Sequence, residues 1–99
     1  MTYRISKDDG ILTVHVSGQL DINSSPELDQ AIEPELEGTT DLIVDLANVD
    51  YVSSMGLRLL LSWQKRMFKQ GSMRVVNVSD EVKELFDQTG FSEILDISQ

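Results

Sequence analysis

Cysteine is absent from the 99 residues. That removes disulfides, thiolate metal ligands and a thiol nucleophile together, and it fits a reducing compartment, with the cytoplasm as the expected location. Positive charge is scarce. Against 17 Asp and Glu stand 8 Lys and Arg, a formal net charge of −9, which would repel a nucleic-acid backbone or an anionic membrane surface. No stretch approaches the ~20 apolar residues needed to cross a bilayer, and residues 1–9 lack the apolar core of a signal peptide. Neither export nor direct membrane binding is expected. There is also no glycine-rich phosphate loop, no metal-ligand cluster, no Gly-x-Ser-x-Gly elbow and no Ser/His/Asp set of defensible order. Cofactors and metals are therefore not expected, and catalysis has little support. His15, the one histidine, has no nucleophile beside it and reads as a half-exposed strand residue.

The 40% of residues that are hydrophobic suffice for the core of one small domain, expected to span residues 1–99. Tyr3 and Ile5, then Ile11, Val14 and Val16, flank Asp9-Gly10, a strong signal for a two-residue hairpin. Alternation in the second strand puts Leu12, Val14 and Val16 on one face and His15 on the other. Gly18-Gln19-Leu20-Asp21 breaks this strand. Ser24 with Glu27 then suggests a capping box, Leu28, Ala31 and Ile32 an apolar stripe, and Pro34 a kink near Glu33. Further on, Leu42 to Leu46 reads as a buried strand ending in a loop at Asn48-Val49-Asp50, and Met73 to Val78 as another. Ser79-Asp80 opens a helix stopped by Gly90, and Ile94 to Ile97 suggests a short last strand. The order is β-β-α-β-α-β-α-β, an α/β domain with a mixed sheet, an N-terminal hairpin and helices packed against it.

The stretch Asp50-Tyr51-Val52-Ser53-Ser54-Met55-Gly56-Leu57 reads as a strand-to-helix turn around which the rest is arranged. Ser53 suits the N-cap, and the free N–H groups at a helix start favour negative charge. In the helix that follows, Leu57, Leu60, Leu61, Gln64 and Phe68 recur at helical spacing and are expected to face the sheet. Met55, Leu59, Trp63 and Met67 fall near a second line flanked by Arg58 and Arg66. That line either packs under another helix or forms a partner-binding face, for which exposed Met and Trp are well suited. Asp21, at a strand end before a helix, is a candidate site residue by position.

Four pieces in order, Gly18-Gln19-Leu20-Asp21, Leu42-Ile43-Val44-Asp45-Leu46, Val52-Ser53-Ser54-Met55-Gly56-Leu57 and Thr89-Gly90-Phe91, resemble the single-domain STAS proteins that act as anti-sigma factor antagonists in partner-switching systems. The resemblance covers essentially the whole chain. In that family the turn reads Asp-Ser-Ser/Thr-Gly-Leu with the first hydroxyl residue as phosphoacceptor. Aligning on Gly56-Leu57 implies Ser54 as the phosphorylated residue, with Ser53 in place of the family's Asp and Met55 in place of its second Ser/Thr. The resemblance further implies that Asp21, Ser53, Met55, Gly56, Leu57, Leu59 and Trp63 contact a partner. That partner would be an anti-sigma factor with serine kinase activity, and a PP2C-type phosphatase would reset the switch. The free protein would be a monomer. A non-phosphorylated structural or regulatory subunit of a transporter complex is the alternative the same resemblance allows.

Overall fold

The computed structural model describes residues 1–99. Strands β1 (Thr2–Asp8) and β2 (Ile11–Leu20) form the expected hairpin. Asp9 and Gly10 both take positive φ, 50° and 82°, the requirement of the tight turn whose twist matches a hairpin. Helix α1 (Ser24–Ile32) is followed by one 3-10 turn, Glu33–Leu36, with Pro34 within it. Then come β3 (Asp41–Val52), α2 (Ser54–Phe68), β4 (Ser72–Val76) and α3 (Asp80–Thr89). The sheet order is β1-β2-β3-β4, with β1 antiparallel to β2 and the other two pairs parallel. None of the helices is long and apolar enough to cross a membrane.

Period-two alternation sets the core. Leu12, Val14 and Val16 of β2, Leu42, Val44 and Leu46 of β3, and Met73 and Val75 of β4 are all buried in one cluster. Their partners on the other face, among them Thr13, His15, Ile43 and Asp45, are only half-buried. The helices close the covered face with Leu28 and Ile32 from α1, Leu60, Trp63 and Met67 from α2, and Val82 and Phe86 from α3. Burying each such side chain is worth about 1.5–3 kcal/mol.

Three expectations are corrected. Asn48-Val49-Asp50 is not a loop, because β3 runs on to Val52 and pairs with Ser17 to Leu20 across two register irregularities. The final strand shrinks to a single parallel bridge, Val75 to Ile97. A 3-10 turn at Phe91–Glu93 and the burial of Leu95 use up the residues that would have run along β4. The capping box of Ser24 and Glu27 does not form, since Ser24 already lies inside the helix and its hydroxyl donates to the Gln19 carbonyl at 2.8 Å.

Candidate functional site

The end of β3 hands the chain directly to α2, and the two serines at that junction are used differently. Ser53 has extended backbone, φ −80° and ψ 175°, and its Oγ accepts the Gly56 N–H at 3.3 Å. It is the N-cap the sequence suggested. Ser54 is the first residue of the helix, is exposed, and its hydroxyl makes no hydrogen bond within the chain. Of the two hydroxyls, only that of Ser54 has no hydrogen bond within the chain.

The junction is held from behind by β2. The Ser53 N–H donates to the Leu20 carbonyl at 2.9 Å, which brings Asp21 to the same mouth. Gly56 explains why the helix can approach so closely: a Cβ there would lie 2.7 Å from the Leu20 carbonyl oxygen and 2.8 Å from Val52 Cγ1. Helix α2 thus starts against the ends of two strands, and the serine pair is presented on a rigid corner.

Asp21 proves to be the organiser of the first helix. Its Oδ1 accepts the N–H groups of Asn23 and Ser24, each at 2.9 Å, and its carbonyl accepts the Ser25 N–H. Those backbone bonds, Ser24 first and Asn23 second, hold its carboxyl below the usual carboxylate range against a smaller opposing effect of burial. The local signal was an aspartate two residues before an asparagine, a pattern in which the side chain satisfies backbone N–H groups further on.

The second apolar line on α2 takes the first of its two readings and packs inward, so the surface contacts implied for Leu59 and Trp63 are corrected. Trp63 and Met67 are fully buried and Leu59 is 7% exposed, so Leu59 and Trp63 form no surface stripe; Trp63 lies under α1, where its Nε1 donates to Asp29 Oδ1 at 3.0 Å. Gly56 and Leu57 are buried as well. Phe68, expected to face the sheet, is 82% exposed instead. The side of α2 that solvent reaches carries Ser54, Arg58, Ser62, Lys65 and Phe68, with Met55 half-buried at its edge. In a chain with 17 acids, α2 holds none and carries Arg58, Lys65 and Arg66. This basic character sets the helix apart from its own surroundings, and the sequence already displayed it.

On the bare face of the sheet a second polar group assembles. His15 Nδ1 lies 2.8 Å from Asp45 Oδ2, and Asp45 Oδ1 accepts from the Ala47 N–H at 3.0 Å and the Asn77 side chain at 3.1 Å. Burial pushes the Asp45 carboxyl up, and the bonds from Ala47, Asn77 and His15 outweigh it, leaving the carboxyl below its ordinary value. No group of three or more His, Cys, Asp or Glu is placed to hold a metal.

A family model described as STAS domain matches residues 2–99. The chain is 34% identical over 95 residues to the anti-sigma-B factor antagonist of Bacillus subtilis (strain 168), covering 95% of this chain and 87% of that protein. Among solved structures, an anti-sigma factor antagonist from Mycobacterium paratuberculosis superposes with a TM-score of 0.88 at 26% identity, over 98% of this chain and 84% of that one. The anti-sigma factor antagonist SpoIIAA in its unphosphorylated form superposes with a TM-score of 0.85 at 16% identity, over 99% and 89%, a likeness of fold.

Proposed function

The chain belongs to the STAS-domain family, and on that premise we propose that it is an anti-sigma factor antagonist, a binding switch and not an enzyme. In its unphosphorylated form it docks the mouth of α2, with Asp21, Ser53, Ser54 and Met55, onto an anti-sigma factor that is also a serine kinase, and a sigma factor is set free. The observation that carries this reading is the free, exposed hydroxyl of Ser54 beside the engaged hydroxyl of Ser53, together with the similarity to a named antagonist over nearly the whole length.

The kinase, holding ATP, transfers the γ-phosphoryl group to Ser54 Oγ. A P–O bond to serine forms, the bond to ADP breaks, and the hydroxyl proton leaves to a base of the kinase or to water. The new group adds about −1.5 to −2 charges at pH 7. At a helix N-terminus the fold tolerates that charge, whereas in a desolvated interface it opposes binding. A PP2C-type phosphatase removes it.

Intact-mass analysis with peptide mapping, after incubation with ATP and the candidate anti-sigma kinase of the same genome, tests the assignment. One phosphate on Ser54, coupled to dissociation, is expected, with Ser54→Ala binding constitutively and Ser54→Asp binding poorly. An alanine variant that still releases its partner on addition of ATP would overturn the assignment of Ser54. A stable complex in which no phosphate is ever found would replace the switch by the structural-subunit role.

A further inference from the structure

We propose that Arg58 is the internal cation that pairs with the phosphate on Ser54, donating hydrogen bonds to its oxygens, and that in pairing Arg58 is withdrawn from the partner. This rests on Ser54 being the phosphorylated residue. Ser54 and Arg58 stand four apart on α2, the spacing at which helix side chains meet, with the acidic member on the N-terminal side, the better of the two orders. Helical side chains lean toward the N-terminus, so an arginine at this spacing is directed at the turn that carries Ser54.

Arg58 is exposed and uncommitted. The ion pairs of the chain are His15 with Asp45, Arg66 with Glu33 and Lys83 with Asp87, and Arg58 donates no side-chain hydrogen bond. Asp29, which lines the same depression, accepts the Trp63 indole N–H on Oδ1 and makes no ion pair with Arg58. Two backbone donors are free as well, because the first intrahelical bond of α2 is that of Leu57 to Ser53 and the Gly56 N–H is held by the Ser53 hydroxyl, which leaves the N–H groups of Ser54 and Met55 unpaired. A depression between the starts of α1 and α2, lined by Ser25, Asp29, Met55 and Arg58 among others, contains a further unused donor. Ser25 is 3% exposed and its hydroxyl has no partner. An anion at this corner meets these donors and no carboxylate on its own helix, with Asp29 of α1 the one acid lining the depression.

Arg58 then has two alternative ligands. Without phosphate it is free to meet a carboxylate of the docked partner. With phosphate it closes on its own chain, so the corner loses a cation and gains a dianion in one event. Release proceeds by competition for Arg58 in addition to repulsion between like charges.

The test uses the full chain with phosphoserine installed at position 54 during synthesis, so that no kinase is needed, and a 31P NMR titration of the second phosphate ionisation. A free phosphoserine loses that proton near pH 6. Pairing with Arg58 is expected to hold the value lower than in the Arg58→Gln chain by about half a unit, a discounted figure for an exposed pair, with Arg58→Lys in between and Lys65→Gln like the parent. Equal values in the parent and Arg58→Gln chains, or an equal shift in Lys65→Gln, would overturn the pairing. Failure of the kinase to phosphorylate Ser54 is a separate result that bears only on the switch itself.

Discussion

Trp63, with no exposed surface, donates its indole N–H to Asp29 Oδ1 at 3.0 Å and so ties the middle of α2 to α1. The residue best suited by type to be an exposed recognition anchor is a strut between two helices of the fold.

Its removal should therefore be read in stability. Trp63→Ala is expected to cost about 3–5 kcal/mol, the range for large aromatic truncations in a core, and Trp63→Phe about 1–2 kcal/mol, since the smaller ring keeps most contacts and the half-buried Asp29 regains water. Urea denaturation measures both. If the phenylalanine variant, folded at low temperature, lost affinity for the partner while keeping the parental denaturation midpoint, the residue would be a contact after all.

Gly56→Ala provides a contrast with ordinary helix chemistry. In an exposed helix interior the change would stabilise by about 1 kcal/mol. Here the added carbon would lie 2.7 Å from the Leu20 carbonyl oxygen, so α2 must shift away from β2 and a net loss of about 1–3 kcal/mol is expected. A variant more stable than the parent would show that the contact between helix and strand end is slack.

Acid should weaken the bare sheet face. The Asp45 carboxyl is held below its unfolded value, so the unfolded chain takes up the proton first as pH falls. The stabilisation is present above the unfolded value near 3.9 and disappears as pH drops through the lower folded one. Asp45→Asn should flatten the acid side of a stability-against-pH curve between about pH 5 and pH 2 and lower stability at pH 7. An unchanged acid limb would mean that the network with Ala47, Asn77 and His15 is not maintained in solution.

Signals that act over a few residues were legible in the sequence. The Asp9-Gly10 turn, the end of α1 before Pro34, the caps at Ser53 and Ser79, and Gly90 with its φ of 80° all follow from local sterics and backbone bonding. What depends on distant partners was not. Nothing in the strand pattern says that His15 meets Asp45, because the parallel register that aligns them is set by the crossover through α1. The misplaced face of α2 is different, for the signal was present. At about 100° per residue Leu60 and Trp63 lie only about 60° apart, so the two apolar lines are flanks of one broad buried face, and the absence of acids marks the side that remains outside.

The sheet couples its strands over very unequal lengths of chain. β1 meets β2 through a two-residue turn, whereas Leu12 of β2 aligns with Leu42 of β3 only after α1 has been threaded between them. Closing the short loop first is fast and closing the long one is slow, so the hairpin is the natural place for assembly to begin. Yet β1 is an edge strand whose residues are nearly all exposed, and edges are where amide protons exchange soonest. The segment that enters the fold earliest is the one it holds least tightly, whereas the serine corner is anchored to the inner strands β2 and β3.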